Sequence, residues 1–253
     1  MIQQTRQWLR ELYLSSMEKA YYAQTELPAF SGMGFDERFA LLVQAELEKR
    51  RENKLARLLK AANLRDKGAC LEELDFQASR GLEKSVVATL SDCRWIRKGH
   101  NLLISGACGT GKTYLANAFG NAACRHGYSV ACFRLPRLLV DLQIGRGDGS
   151  WEKILLPENL KKPDLLILDD FGLAPLEPMQ CRDFLEVVED RHGSASTVIA
   201  SQLPVSSWHG VFADATIADA VLDRLVHGAH RFELKGPSRR QQGSQAAGKG
   251  LED

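Results

Sequence analysis

Residues 101–113 read NLLISGACGTGKT and give the strongest indication of the fold. An apolar run, Leu102–Ser105, precedes the glycine-rich octet Gly106–Thr113, which matches the pattern G-x-x-x-x-G-K-[ST]. In such an octet consecutive backbone N–H groups converge on a phosphate, and only glycine allows the required backbone angles. A helix-compatible run, Tyr114–Cys124, follows and would direct its positive N-terminus at the same anion. The pattern therefore predicts a strand, a phosphate-binding loop and a helix, in that order.

The octet also predicts which groups hold ATP and magnesium. The Lys112 ammonium would reach the β- and γ-phosphate oxygens, and the Thr113 hydroxyl would ligate Mg²⁺. A glycine-rich turn that matches by accident is the alternative, and the flanking strand and helix argue against it. The predicted nucleotide-binding residues are Gly106, Ala107, Cys108, Gly109, Thr110, Gly111, Lys112, Thr113 and Tyr114.

Two carboxylates follow a second apolar run. Asp169 and Asp170 come directly after Leu165–Leu168. A phosphate-binding loop of this class needs an acidic residue at the tip of a neighbouring strand to hold its metal. We expect Asp169 to bind magnesium together with Thr113, and Asp170 to polarise the attacking water. The alternative is a strand that ends in a solvated Asp-Asp turn.

Short apolar runs alternate with helical patterns between about residues 69 and 235. This alternation predicts an α/β domain whose parallel sheet is covered by helices on both faces. The predicted strands are residues 102–105, 130–133, 165–168 and 197–200. The predicted helices are residues 112–125, 136–143, 178–192 and 215–226.

The chain divides into three predicted zones. Residues 1–67 have apolar residues at helical spacing, interrupted at Pro28 and at residues 31–34, and predict a small all-helical domain for DNA or partner binding. Residues 68–236 form the predicted ATPase domain. Residues 237–253 lack apolar content and are predicted to be a disordered tail.

Composition excludes several classes of protein. The chain has 253 residues, of which 44% are hydrophobic and 26% charged, which is ordinary for a globular protein. The net charge of +1 means that any nucleic-acid contact must come from local clustering. The six cysteines form no C-x-x-C pair, which favours a reduced, cytoplasmic compartment. No apolar run approaches membrane-spanning length, so we expect a soluble protein with no membrane partner.

The order of the motifs resembles a known family. After the phosphate loop and the Asp-Asp pair come Thr197–Pro204, the pair Trp208-His209, and Asp223–His227, which reads DRLVH. The N-terminal phrase Phe35–Leu42 adds to this pattern. Together they resemble the AAA+ ATPases of the DnaC-like helicase-loader and initiator group, and more closely the IstB-like transposition helper ATPases. The resemblance implies an AAA+ P-loop fold, ATP hydrolysis, and as partners DNA, a transposase and further copies of the chain, with ATP sites between subunits.

The resemblance also implies two catalytic roles. Gln202, next to Ser201, occupies the sensor position at a strand end, where a polar group touches the γ-phosphate or the attacking water. The alternative is a polar pair that only caps a turn. Arg224 occupies the position of the arginine finger, which reaches into a neighbouring subunit's site. The alternative is a salt bridge to Asp219 or Asp223 on the same helix.

A basic run covers residues 49–67, KRRENKLARLLKAANLRDK, with eight basic and two acidic residues. Arg50, Lys54 and Arg57 fall on one helical stripe, and Arg51 adjoins it. Such a stripe can follow DNA phosphates with weak sequence preference. A solvated helix face is the alternative. With the resemblance, we expect Arg50, Arg51, Lys54 and Arg57 to bind DNA.

These observations favour an ATP-dependent DNA-binding protein that assembles on DNA and assists a transposase in insertion-sequence transposition. A DnaC-like replicative helicase loader would use the same motor. A small-molecule kinase on the same loop would need an acceptor pocket and a lid, for which we find no sequence. A purely structural nucleotide binder would not need Asp170.

Overall fold

The computed structural model describes residues 1–77, 80–150 and 160–239. The chain divides into two compact units, Met1–Arg57 and Leu58–Asp253. Most of the predicted tail, residues 240–253, lies outside the described residues.

The first unit is helical, as the sequence predicts. Its elements are α1 (Ile2–Glu11), α2 (Ser15–Glu26), a 3-10 turn (Pro28–Phe30) and most of α3 (Phe35–Ala62). Buried carboxylates join these helices. Glu18 accepts hydrogen bonds from Arg6 and Arg10 at 2.7 and 2.9 Å. Glu46 accepts hydrogen bonds from two backbone N–H groups at the start of α2, where a negative charge is favourable.

The division between the units falls earlier than the predicted boundary after residue 67. Leu64 is buried and packs at Gly120, and the Arg65 N–H donates to Asn117 Oδ1 at 3.0 Å. Both partners belong to the second unit. The last turn of α3 and the residues after it therefore serve the ATPase unit, although their composition continues the basic run of the first.

The second unit is built on five parallel strands in the order β2-β3-β4-β1-β5. The strands are β1 (Leu102–Gly106), β2 (Val130–Arg134), β3 (Leu165–Phe171), β4 (Ser196–Ser201) and β5 (His230–Leu234). The helices are α4 (Lys84–Leu90), α5 (Arg94–Arg97), α6 (Lys112–Arg125), α7 (Leu135–Asp148), α8 (Pro178–Arg191) and α9 (Ala215–Val226), with a 3-10 helix at Val205–Val211.

Helices cover both faces of the sheet. On one face, Leu166, Leu168 and Ile199 share an apolar core with side chains of α7, α8 and α9. On the other face, Ile167 points at Gly120 of α6, where a Cβ would collide with it. Strands buried on both sides read as continuous apolar runs, and this is why β1, β3 and β4 are visible in the sequence. The predicted α/β fold class is confirmed.

The fifth strand was not predicted. β5 reads HRFEL, in which only Phe232 and Leu234 are apolar and buried. It lies at the edge of the sheet beside β1, so one residue in two meets water, and the run is too short for its alternation to be distinctive. In the described part of the chain, no helix is long and apolar enough to cross a membrane.

Candidate functional site

The phosphate loop connects β1 to α6 as predicted. Three of its glycines have positive φ: Gly106 (149°), Gly109 (81°) and Gly111 (99°). Gly111 directly precedes α6, so the helix starts at Lys112 with its unpaired N–H groups facing the loop. The buried Lys112 ammonium donates to the Ala107 carbonyl at 2.8 Å. The loop thus places one cation and one helix N-terminus around the same space, which suits an anion.

The tip of β3 reaches the start of α6. The Thr113 hydroxyl donates to Asp169 Oδ2 at 2.9 Å, across 56 residues of sequence. Burial raises the pKa of Asp169 above its ordinary value, and the hydrogen bond from Thr113 opposes this shift. Arg65 adds a positive charge, with Nη1 3.7 Å from Oδ2. The two residues predicted to bind magnesium are therefore in direct contact.

Asp170 has a strained backbone and an ion-pair partner. Its φ is +63°, a left-handed conformation that few non-glycine residues adopt. Asp170 Oδ2 accepts a hydrogen bond from Arg134 Nε at 2.7 Å. Arg134 ends β2, and its Cα pairs in register with that of Asp169. The pairing of β2 with β3 thus places a guanidinium beside the predicted catalytic carboxylate.

The polar pair after β4 has two different environments. Ser201 is buried, donates to the Phe171 carbonyl at 2.8 Å and accepts from the Leu203 N–H at 3.0 Å. Its hydroxyl therefore fixes the turn. Gln202 is exposed and lines the cavity over the phosphate loop. Ser201 therefore caps the turn, which was the alternative given for the pair, and Gln202 remains available for the sensor role.

A cavity of about 470 Å³ contains most of the predicted site. Its polar side includes the phosphate loop, and its apolar side is formed by leucine side chains, which suits a purine base next to a phosphate chain. The predicted residues that line it are Cys108, Gly109, Gly111, Lys112, Thr113, Tyr114, Asp170 and Gln202. Thr110 turns inward instead, since its hydroxyl donates to the Ala107 carbonyl at 2.8 Å.

Arg224 does not line this cavity. It lies near the end of α9, and its Nη2 donates to Glu189 Oε1 on α8 at 2.7 Å. The alternative prediction, a salt bridge to Asp219 or Asp223, is wrong because the partner, Glu189, is on the adjacent helix. The Arg224 side chain is 28% exposed. Its guanidinium therefore has one carboxylate partner among the described residues and a surface position.

The four predicted DNA-binding residues are exposed on α3 in the first unit. Arg50 pairs with Glu46 at 2.9 Å. In the described ranges no carboxylate lies within ion-pairing distance of Arg51, Lys54 or Arg57. Apart from Arg50, the cationic surface is therefore not neutralised by the described carboxylates.

Four arginines near the cavity were not predicted as site residues. Arg65 belongs to the basic run, Arg239 is followed directly by Arg240, and the other two stand alone in the sequence. Only the position of Arg134 could have indicated a place in the site, because Arg134 ends a strand that is parallel to β3. The four are Arg65, Arg80, Arg134 and Arg239; all but Arg134 line the cavity itself.

Comparisons with known proteins agree with this geometry. The profile of the family described as IstB-like ATP binding protein matches residues 7–247. An ATP-binding protein of insertion sequence IS1162 from Pseudomonas fluorescens is 48% identical over 207 residues, which is 82% of this chain and 89% of the relative. The insertion sequence ATP-binding protein y4pL of Sinorhizobium fredii is 42% identical over 233 residues, 92% of this chain and 94% of the relative.

A solved structure confirms the fold. The crystal structure of the DnaC helicase loader superposes with a TM-score of 0.52 at 18% identity, over 66% of this chain and 97% of that one. At this identity the likeness concerns the fold alone. Taken with the phosphate loop and its Thr113–Asp169 contact, the profile match and the relatives show that the chain belongs to the family of IstB-like ATP binding proteins and is an ATPase.

Proposed function

We propose that the chain is an ATP-dependent, DNA-binding AAA+ protein that assists a transposase in moving an insertion sequence. The ATP-dependent part is supported above all by the contact between Thr113 and Asp169 beside the phosphate loop. The link to transposition is supported by the relatives, which are named as ATP-binding proteins of insertion sequences. The DNA-binding part is supported by the exposed basic stripe on α3.

The oxygens at this corner of the site fit a magnesium ion. Mg²⁺ prefers oxygen ligands and is often held by one or two protein groups together with phosphates and water. Thr113 Oγ1 and Asp169 Oδ2 supply such a pair. Residues 1–77, 80–150 and 160–239 contain no cluster of three acidic, histidine or cysteine side chains that could hold a metal alone. Such an ion would supply positive charge against the phosphate oxygens of the bound nucleotide.

The chain's own residues divide the remaining work. Lys112 exchanges the Ala107 carbonyl for phosphate oxygens when nucleotide enters. Asp170 accepts a hydrogen bond from the attacking water and orients it towards the γ-phosphorus, and Gln202 contacts the same region from the end of β4. The new P–O bond forms as the bond between the γ-phosphorus and the bridging oxygen breaks, which releases ADP and phosphate.

Arg224 acts in a neighbouring subunit. Its position outside its own cavity and its surface exposure suit a guanidinium that completes a second copy's site. The Glu189 ion pair holds the side chain until such a neighbour is present. A trans-acting arginine requires a homo-oligomer with ATP sites between subunits, and ATP then promotes assembly.

Sizing the protein with and without DNA, in ATP and in ADP, tests the assembly. We expect large assemblies only with ATP and DNA together, and none for Lys112→Ala. A monomer under all four conditions would contradict both the trans arginine and assembly on DNA. Capture of a purified transposase, against capture of a replicative helicase, then separates a transposition helper from a helicase loader.

A matched pair of variants tests Arg224. Arg224→Ala should lower DNA-stimulated ATP turnover by about 10³-fold or more, which is the effect typical of an arginine supplied in trans. Glu189→Gln removes the same ion pair and should keep most of the turnover. Mixing Arg224→Ala with Lys112→Ala subunits should restore part of the activity, because each supplies what the other lacks. Equal losses of turnover in Arg224→Ala and Glu189→Gln would reduce Arg224 to a structural role.

The basic stripe is tested by its salt dependence. Replacing Arg51, Lys54 and Arg57 by Gln should reduce the slope of log affinity against log salt by about 3, since each phosphate contact contributes about 0.9. The control replaces Arg94, Arg97 and Lys98, which are exposed on the second unit and give the same change in charge. An equal loss in both triple variants would mean a general charge effect and would contradict the stripe.

A further inference from the structure

The segment that follows β5 returns to the phosphate loop. The Lys235 N–H donates to the Arg80 carbonyl, and the Arg239 N–H donates to the Gly109 carbonyl, both at 3.0 Å. A Cβ at Gly109 would collide with the Ser238 side chain. Gly109 is thus needed for this approach as well as for its positive φ. The last described residues therefore lie against the loop, although composition predicted a disordered tail from residue 237.

This segment brings the Arg239 side chain to the nucleotide cavity. Arg239 lines the same space as Gly111 and Lys112. Its Nη2 forms an ion pair with Asp75 Oδ2, and the side chain remains 42% exposed. The guanidinium has five N–H donors, so one carboxylate contact leaves others for a ligand.

A second arginine stands at the same wall of the cavity. Arg80 is buried, and its guanidinium donates to the Thr110 carbonyl at 2.9 Å and to the Asp75 carbonyl at 2.7 Å. Burial lowers the pKa of Arg80, the positive charge of Arg239 lowers it further, and Asp75 opposes both. Arg80 thus contacts the backbone carbonyl of Asp75, whereas Arg239 pairs with its carboxylate. The cavity lining carries four cations, Arg65, Arg80, Lys112 and Arg239, against two carboxylates, Asp66 and Asp170. An anion in the cavity would balance the remaining positive charge.

We propose that Arg239 is a further nucleotide-binding residue, whose guanidinium contacts the phosphate chain of the bound nucleotide from the segment after β5. The inference rests on the cavity being the ATP site. Asp75 holds the guanidinium at the mouth of the cavity in the absence of ligand. Charge-assisted bonds from arginine to phosphate are short and strong, so the contact contributes to affinity for di- and triphosphates.

The competing interpretation is that Arg239 only ties the C-terminal segment to Asp75. Two variants remove the same ion pair from opposite sides and separate these interpretations. Arg239→Gln removes the cation, and Asp75→Asn removes the carboxylate while keeping the cation. A nucleotide-binding role predicts weaker ADP binding in Arg239→Gln but not in Asp75→Asn, whereas a structural role predicts equal weakening in both.

The measurement is ADP and adenosine binding by calorimetry to the full chain, with thermal unfolding of each variant without ligand. We expect Arg239→Gln to weaken ADP binding about tenfold, with a much smaller effect on adenosine. Asp75→Asn should bind ADP as tightly as the parent or more tightly, and Arg239→Lys should keep part of the affinity. Both main variants should lose similar thermal stability.

Each of the following results would overturn the inference. Equal weakening by Arg239→Gln and Asp75→Asn would reduce the pair to a structural tie. Unchanged ADP binding in Arg239→Gln would remove the contact altogether, and so would an equal loss for adenosine and ADP. If Lys112→Ala lost ADP binding and Arg239→Gln did not, the cavity would be the nucleotide site but Arg239 would not be part of it. Absence of binding in the parent would contradict the ATP site itself.

Discussion

Arg134 Nε lies 2.7 Å from Asp170 Oδ2, so the carboxylate predicted to orient the attacking water is already paired with a cation from the adjacent strand. One of its two oxygens is thus engaged before any substrate enters. The side chain of Arg134 is about half exposed, which keeps the ion pair weak enough to exchange.

Releasing this ion pair should raise basal ATP turnover. In Arg134→Gln we expect DNA-independent hydrolysis to increase by up to about fivefold, the equivalent of an exposed ion pair of roughly 1 kcal/mol. The readout is phosphate release at saturating ATP. Arg137→Gln is the control, because Arg137 is exposed and pairs with Asp141 instead. A lower basal rate would show that Arg134 supports the carboxylate and does not restrain it.

The backbone of Asp170 dictates which substitution tests its chemistry. Asn tolerates the left-handed conformation at φ +63°, whereas Ala is strained there by about 1 kcal/mol or more. We expect Asp170→Asn to lower turnover by roughly 10²- to 10⁴-fold with ADP affinity unchanged. Asp170→Ala should show the same loss of turnover together with a lower melting temperature. Full turnover in Asp170→Asn would mean that Asp170 does not orient the attacking water.

Acid should destabilise the fold through His230. Its Nε2 is buried and, within the described residues, has no hydrogen-bond partner. Burial, and then the positive charge of His100, lower the pKa of His230. The unfolded chain therefore binds this proton more readily than the folded chain does. The contribution of neutral His230 to the free energy of unfolding is present above the unfolded pKa of about 6.5. It is lost as the pH falls through the lowered pKa of His230 in the folded chain.

The variant His230→Phe tests this linkage, since the ring already lies edge-on to Trp95 at 6.5 Å. Urea unfolding midpoints should fall less between about pH 7 and pH 5 for this variant than for the parent. His227→Gln, at an exposed position, is the control. Parallel pH curves for the parent and His230→Phe would exclude His230 as the cause.

Cys108 should report on nucleotide binding. It is exposed in the phosphate loop, whereas burial raises the pKa of Cys93, Cys124 and Cys132 to about 12, 11 and 12. Because the thiolate is the reactive form, a maleimide at neutral pH should modify Cys108 ahead of these three. ADP at ten times its dissociation constant should slow the reaction about tenfold by mass action. The nucleotide-sensitive part should be absent from Cys108→Ser.

The sequence predicts this site well where one segment supplies the whole signal. The octet Gly106–Thr113 needs its glycines and its lysine in fixed order, and Asp169 directly follows a continuous apolar run. Both signals can be read locally, although the structure places β4 between β1 and the strand of Asp169. The fold class follows from the same runs, because strands buried on both sides are continuously apolar.

The rest depends on contacts between distant segments. β5 has only two buried apolar residues, and Arg239 is brought to the loop by that edge strand. Arg80 joins the site through backbone carbonyls, which no side-chain pattern reveals. Arg134 could have been predicted, since its register with Asp169 follows from parallel pairing of neighbouring strands. That prediction requires the order of the strands to be known first.

The return of residues 235–239 to the phosphate loop has a practical side. The main chain at position 239 is tied to Gly109, so anything attached downstream begins its path at the entrance to the ATP cavity. An affinity tag, a fluorescent fusion or a sensor surface coupled there would share that entrance with the ligand.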